Sequence, residues 1–187
     1  EILFEIYADG LAPKTISAFK NAPKYISNKN YYGKGLVVDL NAKDYGSGLE
    51  NIHFRLNSDG FKVYSSSLEM NKEGEINLYY YSSDNVGNSE RIKNKGFVVD
   101  LTPPTTAHSI KGIVYQESIL SPKSSFVISS NDNLSGVKNT FYLFDETDKS
   151  YYSSNIKLYN LNDGDHVLKY WSTDNVKNSE MDNSKTF

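Results

Sequence analysis

"EGEINLYYYSSDNVGNSE" runs from Glu73 to Glu90, and "DGDHVLKYWSTDNVKNSE" runs from Asp163 to Glu180. The two align without a gap at an offset of 90 residues: a strand-like run, then an acidic, Asn-rich turn. Upstream, "AKDYGSGLENIHFRL" from Ala42 matches "SNDNLSGVKNTFYLF" from Ser130 at an offset of 88, and "YADGLAPKT" from Tyr7 matches "VVDLTPPTT" from Val98 at 91. Three blocks in one order, with offsets that drift by no more than three residues, identify an internal duplication that short loop insertions reconcile. The chain of 187 residues therefore reads as two units, 1–97 and 98–187, each long enough to bury a core of its own. "VVDLTPP" is the joint, stiffened where Pro103 and Pro104 fix φ and remove two N–H donors. The last residues, "NSKTF", align with "KNKGF" just ahead of that joint, so a third copy is expected beyond Phe187. The chain opens on Glu1 rather than Met and is expected to be a segment of a longer protein.

Burial in each unit has to rest on strands. Hydrophobic residues make up only 38 %, but the chain has 15 Tyr and 9 Phe, with Val, Ile and Thr in short runs. In the second copy strands are expected near Ile110–Tyr115, Ser125–Ser130, Thr140–Asp145, Tyr151–Ser153, Ile156–Tyr159, His166–Thr173 and from Thr186 onward. About seven short strands separated by Asn/Asp/Gly/Ser turns make an all-β fold: two tandem Ig-like or fibronectin-III-like antiparallel sandwiches. Alternation along "HVLKYWS" puts His166, Leu168 and Tyr170 on one face, matched by Ile76, Leu78 and Tyr80 in the first copy. Leu78, Tyr80, Leu168 and Tyr170 are the expected core.

The repeated turns have two readings. Asp and Asn side chains bond backbone groups two residues on and tolerate left-handed φ, which suits "DNVGN" and the "D-x-x-S-G" elements at Asp44–Gly48 and Asp132–Gly136. Lys177 stands where the first copy has Gly87, which argues against a strict need for glycine there. The other reading is calcium, a hard cation that wants carboxylate and amide oxygens. Asp84 and Asp174 close a strand turn, Asp9 and Asp100 precede the joints, and a sandwich could bring turn and joint together. "NDNLSG" from Asn131 mimics the start of an EF-hand loop but has Tyr142 where a bidentate Glu belongs.

Other chemistry is thinly represented. A formal charge of −3, with 20 basic and 23 acidic residues intermixed, offers no electropositive stripe for nucleic acid. Without cysteine there are no disulfides, thiolate metal sites or thiol nucleophiles. No apolar run is long enough to span a bilayer. His53, His108 and His166 stand far apart in no nucleophile–base spacing, "YGSGL" is not a nucleophile elbow, and no catalytic residue is assigned. On the strand face away from the expected core stand Trp171 and, in the first copy, Tyr79 and Tyr81, rings able to stack on a sugar or a protein surface or to pack against neighbouring chain.

The order "D-x-x-S-G-[LV]", then a Gly-led strand ending in "DNVKN", then "VDLTPP", resembles the bacterial Ig-like or fibronectin-III-like repeats of cell-envelope proteins. One branch of these is catalogued as a "β-barrel" domain after a leptospiral outer-membrane protein. The resemblance covers nearly the whole chain, twice. It implies sandwich modules in tandem on a secreted, cell-surface or outer-membrane protein, acting as a stalk or spacer, or as an adhesin towards host or matrix protein or glycan. Neighbouring repeats of the same chain are the implied partners, and calcium at the joints would fall to Asp84, Asp100 and Asp174. The rival function is a carbohydrate-binding accessory region of a polysaccharide-degrading enzyme, using Trp171 or the Tyr79 and Tyr81 face.

Overall fold

The structure, a computed structural model, describes residues 6–187. The chain divides into two compact units, Glu1–Val99 and Asp100–Phe187. All regular structure in the described residues is β. The first unit comprises β1 (Lys14–Lys20), β2 (Lys24–Ile26), β3 (Asn30–Tyr32), β4 (Val37–Lys43), β5 (Leu49–Leu56), β6 (Lys62–Val63), β7 (Leu68–Glu69), β8 (Gly74–Asp84) and β9 (Lys93–Val99). The second comprises β10 (Thr105–Lys111), β11 (Val114–Tyr115), β12 (Ile119–Leu120), β13 (Ser125–Asn131), β14 (Val137–Phe144), β15 (Ser150–Tyr151), β16 (Ile156–Lys157), β17 (Val167–Asp174) and β18 (Asn183–Thr186). Nine segments per unit, against about seven expected, arise because two- and three-residue pairings supplement the main strands.

Each unit is a sandwich of two sheets. In the first, β1-β4-β7 faces β2-β3-β9-β8-β5-β6; in the second, β10-β13-β16 faces β15-β14-β17-β18, and β11-β12 forms a separate hairpin. The main pairings are antiparallel, and β3 runs parallel to β9 through Tyr31↔Val98 and Tyr32↔Val99. Val98 and Val99, read from the sequence as part of the joint, thus complete the first unit's sheet and are buried there.

The core follows from strand alternation. Phe126, Ile128 and Ile156 from one sheet of the second unit meet Leu168 and Tyr170 from the other, and burying a side chain of this size contributes roughly 1.5–3 kcal/mol. Leu78 and Tyr80 hold the same places in the first unit, and all four expected core residues are buried.

The first strand of the second unit departs from expectation. It was placed at Ile110–Tyr115, but it begins at Thr105, directly after Pro104, and pairs over Thr105–Lys111 with β13. Proline cannot donate to a ladder, but it tolerates the position just ahead of one. The chain then breaks at Gly112, φ 129°, so Val114–Tyr115 belongs to the hairpin instead.

Candidate functional site

In each unit, three segments far apart in sequence are tied together by aspartate side chains. In the second unit, Asp174 ends β17 and turns the chain. Its Oδ1 accepts the N–H groups of Val176 at 2.9 Å and Asn178 at 2.8 Å, and its Oδ2 accepts the Asn178 amide at 2.6 Å. That amide also donates to the Asp100 carbonyl at 3.0 Å. Asp132 caps the turn between β13 and β14, its Oδ2 accepting from Leu134 at 3.2 Å and Gly136 at 2.6 Å. Asp100, on the lead-in to the unit, reaches this turn by accepting the Ser135 N–H on Oδ2 at 2.9 Å. Asn175 closes the loop from the other side, donating its amide to the carbonyls of Ser135 at 2.8 Å and Gly136 at 2.9 Å.

The first unit repeats this pattern, its Asn85 amide donating to the Ser47 carbonyl at 2.9 Å. Asp84 accepts from Val86, Asn88 and the Asn88 amide; Asp44 accepts from Gly46 and Gly48; Asp9 accepts the Ser47 N–H at 2.5 Å; and Asn88 donates to the Asp9 carbonyl at 3.2 Å. The backbone is shaped to match. Gly48 and Gly136 have φ of 90° and 83°, open to glycine at little cost. A bulge follows at the same point in both copies, between Leu49 and Asn51 and between Val137 and Asn139, next to this hydrogen-bonded knot of three segments.

One carboxylate oxygen from each of Asp9, Asp44 and Asp84, and likewise from each of Asp100, Asp132 and Asp174, lies within 4.8 Å of the others. Asp84, Asp100 and Asp174 are fully buried, and Asp9, Asp44 and Asp132 half-buried. The sequence reading named Asp84, Asp100 and Asp174; the structure groups Asp100 with Asp174 and puts Asp84 in the other trio, with Asp9. Asp44 and Asp132 had been read as turn caps only. A signal for them was present: each of the three repeated blocks carries one Asp at a matching position. The two copies titrate in opposite directions. For Asp84, burial pushes the carboxyl up, but the bonds from Asn88 and Val86 prevail and hold it below its ordinary range. For Asp174, burial and the neighbouring Asp100 carboxylate prevail and push it up.

The glutamate ending each repeated turn makes a second tie that sequence reasoning missed. Glu180 accepts the N–H of Thr106 at 3.1 Å and of Ser172 at 2.8 Å, and it also pairs with the Thr106 hydroxyl. Glu90 accepts the Thr15 N–H at 3.1 Å and the Ser82 hydroxyl at 3.2 Å, and Lys93 pairs with it at 2.6 Å. Each Glu thereby holds the first strand of its unit against the strand that carries the knot.

The three histidines have structural partners. His53 stacks on Tyr81, His108 Nδ1 lies 2.7 Å from the Tyr170 hydroxyl, and His166 bonds Asp145 Oδ2 at 2.5 Å and the Asn162 carbonyl at 2.8 Å. The outward aromatics are half-buried. Trp171 stacks on Phe141 across the strand pair, with ring centroids 5.4 Å apart, and Phe141 packs in turn on Tyr151. Tyr81 packs against His53 and Phe61, and the Arg55 guanidinium lies over Tyr79 at 4.1 Å. On the outer face of the second unit neighbouring strands cover part of the ring, and in the first unit a neighbouring strand and the loop after it do so.

No family model matches the chain, and no curated protein sequence matches it. Among solved structures, the chain is similar to one described as "Structures of Clostridium thermocellum CbhA fibronectin(III)-like modules", at 10 % identity over 91 % of this chain and 92 % of that one, with a TM-score of 0.44.

Proposed function

We propose that this chain is a non-catalytic pair of Ig-like modules of a secreted or cell-surface protein, serving as a spacer that holds neighbouring domains or repeats of the same chain apart. One observation carries the reading: the lead-in to each unit is clamped onto two loops of that same unit, through Asp9 in the first and Asp100 in the second. Tension arriving along the chain meets a hydrogen-bonded anchor before it reaches the first strand, an arrangement suited to a mechanical module. No helix among the described residues is long and apolar enough to cross a membrane.

Stretching the 187-residue chain by atomic force tests this. Two separate unfolding events are expected, each lengthening the chain by about 300 Å, the extended reach of one unit. A single event spanning the whole chain would show that the units do not stand alone and would remove the reading.

A second reading is favoured by the outer rings Trp171 and Tyr151, which flank the buried Phe141: an adhesive or carbohydrate-binding face, with Tyr79 and Tyr81 as its counterpart in the first unit. Aromatic faces half-open to solvent can stack on the apolar side of a sugar ring. Glycan-array binding that is lost in Trp171→Ala supports it, and binding unchanged by that substitution removes Trp171 from any such face.

A further inference from the structure

On the outer face of their three-stranded sheets the two copies differ in charge. The ladder registers align Lys20, Val37 and Glu69 across β1-β4-β7, and Lys111, Ser125 and Lys157 across β10-β13-β16. Phe126 points into the core, so Ser125 and the residues in its row face outward. The first row is balanced, and its Lys20 also pairs with Asp39 at 2.7 Å. In the second unit Val127 stands at the register position of Asp39 and Lys157 at that of Glu69, so two lysines flank one serine. Neighbouring strands lie about 4.8 Å apart, which sets the two lysine backbones about 10 Å from each other on one face. Like charges so placed repel, and the first unit shows that the fold does not need them.

The same lysines line a cleft. Lys111, Lys123, Lys157, Ser125, Asn155 and Tyr159 border a hollow of about 540 Å³, within the roughly 300–1,000 Å³ of small-ligand sites, and none of its lining residues is acidic. The ion pairs among the described residues engage Lys20, Lys29, Lys93, His166 and Lys169, and leave these three lysines out. Tyr159 is 64 % exposed, and Lys157 Nζ lies 6.0 Å from its ring centroid, so charge and an open aromatic ring share one wall. A second hollow of about 520 Å³ shares Asn155, Lys157 and Tyr159 with the first and includes Tyr151, 66 % exposed; Asp148 is the one acid that lines it.

An uncompensated lysine cluster attracts an anion, and an open ring beside it selects an anion carried on a group with an apolar face. Two hollows with a common wall suit an extended ligand better than a free ion. A nucleic acid would need phosphate contacts along a longer basic track, and an acidic peptide would answer the charge but leave the rings without a partner. We propose that this cleft binds an acidic polysaccharide, its carboxylate or sulfate groups held by Lys111, Lys123 and Lys157, its hydroxyls by Ser125 and Asn155, and one sugar face by Tyr159. The cleft lies on the sheet opposite the one that carries Trp171, so it is separate from that aromatic face and does not depend on the spacer reading.

Affinity electrophoresis of the 187-residue chain through gels containing polygalacturonate, dextran sulfate, poly-L-glutamate or plain dextran, each referred to a polymer-free gel, tests the proposal. The expected result is retardation by polygalacturonate or dextran sulfate that falls as NaCl is raised, and none by dextran; the two anionic polysaccharides separate carboxylate from sulfate as the group recognised. Lys157→Glu restores the charge pattern of the first unit, so it should fold as the parent does while affinity drops roughly tenfold. Lys95→Glu makes the same charge change on the first unit and should leave affinity unchanged. Tyr159→Ala should weaken binding several-fold and Trp171→Ala should not alter it, with far-UV circular dichroism confirming that every variant folds. No retardation at low salt, a loss in Lys95→Glu as large as in Lys157→Glu, or a loss in Trp171→Ala overturns the proposal. So does stronger retention by poly-L-glutamate than by either polysaccharide, or affinity untouched by Tyr159→Ala. The stretching experiment is done without polysaccharide, so either reading can fail while the other stands.

Discussion

The Asn178 side-chain amide donates at once to Asp174 Oδ2, at 2.6 Å, and to the Asp100 carbonyl, at 3.0 Å, joining two residues 74 positions apart. One amide therefore fastens the start of the second unit to the turn that follows β17. Asn178→Ala leaves a buried carboxylate oxygen and a carbonyl without this donor, and a hydrogen bond to a charged group contributes about 1.5–3 kcal/mol. The expected loss is roughly 2 kcal/mol from the second unit only. Trp171 is the sole tryptophan, so its emission during urea unfolding reports that unit alone. An unchanged midpoint by this probe would mean the amide ties nothing that matters to stability.

The residue after the turn valine, Val86 or Val176, adopts left-handed φ in both copies, 94° at Gly87 and 72° at Lys177, so the conformation is required even though glycine is used only once. Lys177→Gly should stabilise the second unit by about 0.5–1 kcal/mol, relief of the αL cost exceeding the entropy glycine loses on folding. Gly87→Lys should destabilise the first unit. Calorimetric melting of the two variants checks the signs; a destabilising Lys177→Gly contradicts the backbone argument.

Two histidines give the second unit opposite pH limbs. Hydrogen bonds to the Asn162 carbonyl and the Asp145 carboxylate hold His166 above its ordinary range. Its contribution is complete below pH 6.5 and is lost as pH rises through the folded-state value. His108 is held below its ordinary range by burial, with Lys185 adding to the effect, so its contribution is present above pH 6.5 and lost as pH falls through its folded-state value. Stability followed by Trp171 emission should peak near neutrality. His166→Gln should flatten the alkaline limb, and His108→Ser, the residue the first unit uses at Ser17 against Tyr80, should flatten the acid limb. If both variants keep the parental profile, other groups set it.

Glu180 holds Thr106 and Ser172 by backbone bonds, so Glu180→Ala should free the start of β10 before the unit unfolds globally. Hydrogen exchange measures this directly: the Thr106 and Ser172 amides should lose at least tenfold in protection while Leu168 and Tyr170, in the core, change less. Uniform loss across the unit would show that Glu180 acts on global stability instead.

The duplication, the sandwich class and the core residues Leu78, Tyr80, Leu168 and Tyr170 were legible in the sequence. Each rests on information local to a few residues: block repetition, two-residue alternation, and turn chemistry that Asp, Asn and Gly impose on their own neighbours. The sequence also marked the acids at the turns and joints. It was silent on what they meet, because the knot joins Asp100, Asp132 and Asp174 across separations far longer than any local pattern. Which carboxylates share a site depends on how three loops converge when two sheets close over a core, and only the tertiary structure decides that. The same holds for Glu90 and Glu180, whose partners Thr15 and Thr106 lie more than 70 residues away, and for Trp171, whose alternation set the face while packing on Phe141 set how much of the ring stays open. Short-range stereochemistry is written along the chain; long-range convergence appears only once burial of the core has fixed which loops meet.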